Sequence, residues 1–131
     1  MAFFGEVEGF IKDHADNEDM APYTGPLKKG LDDLQAATMW FMQHAMANPD
    51  NAGAGSTDYM HLLGTVALGY MWAQMAKAAL EKVATDDNPF YQNKLITGKF
   101  YMERMMPDTA PRLARISTGS ETMMSLPADQ F

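Results

Sequence analysis

The sequence contains no cysteine, which excludes disulfide bonds, thiolate metal sites and cysteine nucleophiles. That absence fits the cytoplasmic location that we expect. Basic residues are also few, because 10 Lys and Arg face 17 Asp and Glu and leave a net charge of −7. Nucleic acids and anionic membranes are bound through Lys and Arg, so this charge argues against both as partners. Glu6 and Glu8 lie where a secretory signal carries positive charge, and we expect no such signal.

Charged side chains are missing from residues 59–76, an 18-residue run that approaches the length of a membrane-spanning helix. The run nevertheless contains His61, Thr65 and Gln74, and Lys77 follows it directly. Its many small residues lower its hydrophobicity further. We therefore interpret this segment as the buried central helix of a helical bundle rather than as a membrane span.

Apolar periodicity and helix-ending residues predict five helices. The first covers residues 2–14 and the second residues 26–47, with loops expected over residues 15–25 and 48–56. The second helix carries one apolar stripe at steps of three and four residues, formed by Leu27, Leu31, Leu34, Thr38, Phe41 and Ala45. We expect this stripe to face the core.

The third predicted helix is the long, uncharged one. Ser56 or Thr57 caps its start, and it runs to about residue 84. Apolar residues surround its middle, so we expect other helices to cover it from several sides. Small side chains repeat every four residues along one side and are expected to let a neighbouring backbone approach closely; they are Thr65, Gly69 and Ala73.

Asn88 as N-cap and Pro89 at the first helical position predict the start of a fourth helix, which ends at Pro107. It is expected to bury one stripe, formed by Tyr91, Leu95, Gly98, Met102 and Met105. A fifth helix covers residues 109–118, and one short turn follows. No alternation typical of strands is present. The sequence thus predicts an all-α fold, an antiparallel bundle of four to five helices plus a short C-terminal turn, formed as one domain over residues 1–131.

Residues suited to catalysis or metal binding are scarce. None of the three histidines follows a Glu by three residues, as the di-iron bundles require. Asp58 and His61 share one helix face, and we interpret them as a local hydrogen bond rather than half of a metal site. The pattern Gly-x-Ser-x-Gly is absent, and Gly53 and Gly55 are interpreted as a flexible loop rather than a phosphate loop. We predict no catalytic, cofactor-binding or metal-binding residue in this chain.

Two further residue types were weighed as binding surfaces. Lys94, Lys99 and Arg104 do not share one helix face, because each lies about 140° around the helix from the last. We interpret them as solvated charges. The 13 methionines are a high count, and we expect most of them in the core. A minority is expected to form an exposed apolar patch, with Met123 and Met124 its leading candidates.

Three segments, in this order, carry a resemblance to one known family. Residues 58–72 (DYMHLLGTVALGYMW) hold an Asp-Tyr pair, a glycine, a small apolar run and a second glycine followed by an aromatic residue. Residues 90–101 (FYQNKLITGKFY) repeat a Phe-Tyr-x-x-Lys helix that closes on Phe-Tyr, and residues 118–128 (TGSETMMSLPA) lead from a glycine and an acid to Leu-Pro. Together, over about residues 31–128, they resemble the C-terminal domain of FAD-dependent acyl-CoA dehydrogenases, and in particular the 3-methylmercaptopropionyl-CoA dehydrogenase group.

The resemblance implies a non-catalytic accessory domain that packs on the catalytic core or the subunit interface of an acyl-CoA dehydrogenase. In that family a glutamate removes an α-proton of the acyl-CoA, and a hydride passes to FAD. The resemblance places that glutamate and the FAD-binding segments in upstream domains, so no residue here carries either role. FAD is implied for the parent enzyme, as are short acyl thioesters for its substrates.

Two other functions stay open on the residues alone. One is a free-standing helical module for protein interaction or self-association. The other is a metal or redox bundle, for which the scarcity of ligands is unfavourable.

Overall fold

The computed structural model describes residues 1–131 and contains helices but no strands. The helices are α1 Ala2–Asp13, α2 Ala21–His44, α3 Pro49–Val83, α4 Pro89–Arg104, α5 Thr109–Ile116 and α6 Glu121–Met124, with 3-10 turns at Met106–Asp108 and Ala128–Gln130. The predicted all-α helical bundle is confirmed. No helix has both the length and the apolar character that crossing a membrane requires.

α3 is the central helix, and α2, α4 and α5 all pack against it. The predicted stripe of α2 faces the core along its first half, where Leu27, Leu31 and Leu34 are completely buried. Farther along, Phe41 and Ala45 are only partly buried. The stripe therefore emerges at the surface near the C-terminal end of α2.

α2 begins at Ala21, so the expected loop over residues 15–25 is too long by about one helical turn. Pro22 is tolerated because the N–H groups of a first turn have no helical partner. Met20 and Tyr23 are completely buried, and the Tyr23 hydroxyl donates a hydrogen bond to the carbonyl oxygen of Leu95 at 2.8 Å. Tertiary packing thus extends the helix through a segment whose composition favours a loop.

α3 begins at Pro49, and the predictions of a loop over residues 48–56 and of a cap at position 56 or 57 are wrong. Asn48 is the N-cap, since its side chain accepts a hydrogen bond from the backbone N–H of Asp50 at 3.1 Å. Gly55 is buried inside the helix, and a Cβ there would lie 2.8 Å from Cζ of Phe41. This glycine therefore serves close helix packing rather than flexibility.

α4 begins as predicted, with the side chain of Asn88 accepting from the N–H of Phe90 at 3.0 Å. Leu95, Gly98 and Met102 are buried, whereas Tyr91 is only partly buried. The prediction that Met105 is buried is wrong, because its side chain is 50% exposed. Met106 is 2% exposed instead. The 3-10 turn after α4 changes the helical register and turns Met106 inward.

The Met106 side chain fills a space between α2 and α3 that two glycines leave open. A Cβ on Gly69 would lie 2.7 Å from the Met106 sulfur, and a Cβ on Gly30 would overlap the Met106 methyl group. At Gly69 the small-residue side of α3 therefore accepts a side chain from the 3-10 turn. Met106 thereby holds the 3-10 turn in place between α2 and α3.

We expect Met106→Ala to lower the free energy of unfolding by about 2–4 kcal/mol, because it leaves a cavity that neither glycine can fill. Met105→Ala is the matched control and should change it by less than about 0.5 kcal/mol, since Met105 is half exposed. Urea denaturation followed by circular dichroism measures both. Equal effects of the two substitutions would show that Met106 does not hold the turn in place.

Candidate interaction surface

The histidines lie in local structure. His14 and His44 each place Nδ1 2.8 Å from the carbonyl oxygen of the residue four positions earlier. His44 also stacks on the ring of Trp40, while His61 is exposed. No group of three or more His, Asp or Glu side chains is arranged to hold a metal ion.

Asp58 does not pair with His61, and it binds two arginines of α5 instead. Nη1 of Arg112 donates to the Asp58 carboxylate at 2.9 Å, and Arg115 donates to it through Nη2 at 2.9 Å and through Nε at 3.1 Å. Arg112 also donates to Asp108 at 2.7 Å. Asp58 therefore links α3 to α5 and does not form the expected local pair. The sequence pattern does not show this link, because the partners lie far apart along the chain.

The arginines change the titration of this carboxylate. The hydrogen bond from Arg115 and the positive charges of Arg115 and Arg112 lower the pKa of Asp58 below its ordinary value, although desolvation acts in the opposite direction. Asp58 is 21% exposed and so is Arg112, which makes this pair better shielded from water than an ordinary surface ion pair. A lowered pKa means that the ionised form of Asp58 stabilises the folded state.

Asp58→Asn should lower the free energy of unfolding by about 1 kcal/mol near pH 7, because it removes the ion pairs with Arg115 and Arg112. Since the folded pKa is depressed, this contribution is present above the unfolded pKa of Asp58 and is lost as the pH falls through the folded pKa. The difference between wild type and variant should therefore shrink below about pH 4. Urea midpoints at several pH values measure it, with Asp16→Asn, on an exposed aspartate in the loop, as the control.

Methionine is distributed differently from the prediction. Only Met20, Met102 and Met106 are buried, so the expectation that most of the 13 lie in the core is wrong. The expected exposure of Met123 and Met124 is confirmed. The other exposed methionines are Met1, Met39, Met42, Met46, Met60, Met71, Met75 and Met105. An exposed apolar surface of this extent is typical of a region that binds another molecule.

The outer side of α3 supplies much of this surface. Its inward positions hold mainly small side chains, among them Gly55, Gly69, Ala73, Ala76 and Ala79. Its outward positions hold large apolar side chains, namely Met60, Leu63, Leu68, Met71 and Met75. No charged residue interrupts this face between residues 59 and 76. An uncharged, mainly apolar strip that includes the exposed Gln74 therefore faces outward on the central helix.

A groove between α2 and α3 adjoins this strip, and we call its uncovered part the open groove. It is a hollow of about 540 Å³ without a charged side chain, lined by Thr38, Phe41, Met42, Ala45, Ala52, Ser56, Tyr59, Met60 and Leu63. A second hollow of about 490 Å³ continues it toward α1 through Thr38 and Met42, and its only charged side chain is that of Glu8. Methionine makes such a surface adaptable to its partner.

The three basic residues of α4 have different surroundings, and only Lys94 is partly buried. Nζ of Lys94 lies over the rings of Trp72 and Phe90, 5.6 Å and 5.4 Å from their centroids. Cation–π contacts of this kind hold the side chain against α3. Lys99 and Arg104 are exposed and form no ion pair, in agreement with their interpretation as solvated charges.

The geometry can now be compared with known proteins. Residues 3–127 match the family model described as acetyl-CoA dehydrogenase C-terminal like. The chain belongs to this family. The match includes nearly all of α1 and residues 31–127 of the region that carries the resemblance. No individual curated protein matches the chain.

Residues within the resembling segments make contacts between helices of this fold. In residues 58–72, Asp58 binds the arginines of α5 and Gly69 accepts Met106. In residues 90–101, a Cβ on Gly98 would lie 3.0 Å from the ring of Tyr23. These residues of the motifs hold helices together.

Proposed function

We propose that this chain is a non-catalytic accessory domain of an FAD-dependent acyl-CoA dehydrogenase, and that it packs on the catalytic core or the subunit interface of that enzyme. Family membership supports the parent enzyme class. The uncharged, methionine-rich surface around the outer side of α3 is the observation that supports packing. A contiguous apolar surface on a folded domain commonly marks a site where a partner binds.

The two hollows beside α2 do not fit FAD. A flavin dinucleotide needs donors for its diphosphate, usually a glycine-rich turn before a helix or well-placed basic side chains. The open groove offers neither. The hollow of about 420 Å³ beside α2 includes Lys29, but this lysine is paired with Asp33 and Glu103 lines the same hollow. The flavin and the proton-abstracting glutamate therefore belong to the core of the parent enzyme in this proposal.

The finer assignments rest on the resemblance alone. Short acyl thioesters, as in the 3-methylmercaptopropionyl-CoA dehydrogenase group, are the substrate class that we propose for the parent. Self-association is the second candidate function, and it uses the same apolar surface. The net charge of −7 opposes the approach of two identical chains, so we favour the core as partner.

The coding sequence beside that of this chain should encode an FAD-binding acyl-CoA dehydrogenase core. When the flavin-loaded core is mixed with this chain, the two should elute as one complex in size-exclusion chromatography with light scattering. A flavin-loaded dehydrogenase of another family is the control and should elute separately. Added FAD should leave this chain alone colourless after desalting.

Two results would contradict the proposal. One is separate elution of this chain and the adjoining core at micromolar concentrations. The other is stoichiometric binding of FAD to this chain alone, which would place the cofactor where no suitable donors have been found.

A further inference from the structure

α1 is less firmly packed than the helices that follow it. α2, α3, α4 and α5 each pack against two or more other helices, whereas α1 packs mainly against α2. Val7 is the one completely buried residue of α1. The N-terminal end of this helix has no side-chain cap, and the bond from Gln35 of α2 to Glu8 lies at the exposed surface. The core therefore holds α1 through few side chains.

The sequence of α1 gives it little helix stability of its own. Isolated helices of about 12 residues are marginal in water, and α1 has 12. Gly5 and Gly9 lie inside it, and only proline is less favourable than glycine within a helix. A Cβ at either position would meet nothing within 4 Å, unlike one at Gly55 or Gly69. These two glycines weaken the helix and serve no close contact.

The contacts between α1 and α3 converge on one residue, Tyr70. The rings of Phe3 and Phe10 meet the Tyr70 ring edge-on, with centroids 6.3 Å and 5.5 Å away. The Tyr70 hydroxyl donates to the Glu6 carboxylate at 3.0 Å. Tyr70 is only 5% exposed. Because these contacts share one partner, they are lost together when α1 moves away from α3.

The connection between α1 and α2 shows where a moving segment would end. Residues 15–19 are all exposed, whereas Met20 directly after them is completely buried. The carbonyl oxygen of Met20 accepts from the N–H groups of Tyr23 and Thr24, each at 2.9 Å. The start of α2 thus remains packed when α1 leaves, and residues 15–19 form the hinge.

We infer that α1 is a lid, which detaches from α2 and α3 as one unit at a lower free energy than unfolding of the whole domain. This inference does not depend on the function proposed above. The detached segment loses its helix, because its own sequence supports so little. Its departure uncovers Tyr70, which follows Tyr59 of the open groove by 11 residues, or about 16 Å along α3. The groove between α2 and α3 therefore has a short state and an extended state.

Hydrogen exchange of the unaltered chain, followed residue by residue by NMR, tests the lid directly. The amides of residues 8–13 should exchange at least about tenfold faster than those of residues 62–73 in α3, because they open without the rest of the domain. Equal protection of the two segments would show that α1 opens only when the whole domain unfolds. Fast exchange confined to residues 2–7 would show fraying of one end and no lid.

Alanine substitutions test whether the two glycines set the opening. Gly5→Ala and Gly9→Ala should each slow exchange of residues 8–13 about fivefold, because alanine favours the helix and meets no neighbour. Gly64→Ala is the matched control, since this glycine lies in α3 with nothing within 4 Å of a Cβ. It should slow exchange in α3 and leave α1 unchanged. Slower exchange of α1 in Gly64→Ala would contradict a separate lid.

The absence of cysteine allows an independent measurement. A thiol in Val7→Cys lies under the lid, whereas one in Val66→Cys lies in α3, and both valines are completely buried. A disulfide reagent should label the first thiol at least about tenfold faster than the second, since only the first is exposed by local opening. Adding Gly9→Ala should slow labelling of the Val7→Cys variant about fivefold. Equal labelling of the two thiols would overturn the inference.

Discussion

Close packing along the inward side of α3 is the constraint on which the other contacts depend. A Cβ on Gly55 would collide with Phe41 of α2, and one on Gly69 would collide with Met106. Ala73 and Ala76 continue the same side with single methyl groups. Because much of the inward side is small, neighbouring helices approach closely there. The large side chains that α3 buries are those of Leu62, Val66 and Tyr70.

Hydrogen bonds between helices fix their relative positions, which contacts between small residues alone do not. The Tyr101 hydroxyl donates to the carbonyl oxygen of Thr65 at 2.6 Å and ties α4 to α3. Burial raises the pKa of Tyr101 to about 12, so this donor stays protonated throughout the physiological range. Because the folded pKa is raised, its contribution is full below the unfolded pKa and is lost only as the pH rises through about 12. Buried Asp33 accepts from Thr109 at 2.8 Å and links α2 to α5 in the same way.

The helices were predictable from the sequence because their determinants are local. The stripe of Leu27, Leu31 and Leu34 follows from periodicity, and the Asn88 cap depends on the next two residues. Where tertiary contacts decide, prediction failed. Gly55 is part of a helix because Phe41 lies against it, and the register at Met106 depends on the space beside Gly69. Neither contact has a signature within one helical turn.

The candidate surface was predictable only in part, for the same reason. The tail methionines were expected to be exposed, since a short last turn has little core to enter. Helical spacing predicted His61, three positions away, as the neighbour of Asp58, but its partners Arg112 and Arg115 are 54 and 57 residues distant. The open groove needs the side chains of two antiparallel stretches at once, and a pattern within one helix cannot show which of its apolar positions remain uncovered.

Charged side chains are distributed unevenly between the two ends of α3. The acidic residues between α1 and α2 lie near the C-terminal end of α3, where Asp19 and Glu81 line one hollow. Asp86 and Asp87 follow the same end of that helix. The open groove lies at the other end, around Tyr59, and has no charged side chain. Lys77 lines the same hollow as Asp19 and Glu81, so the C-terminal end of α3 carries charges of both signs, whereas the groove around Tyr59 carries none.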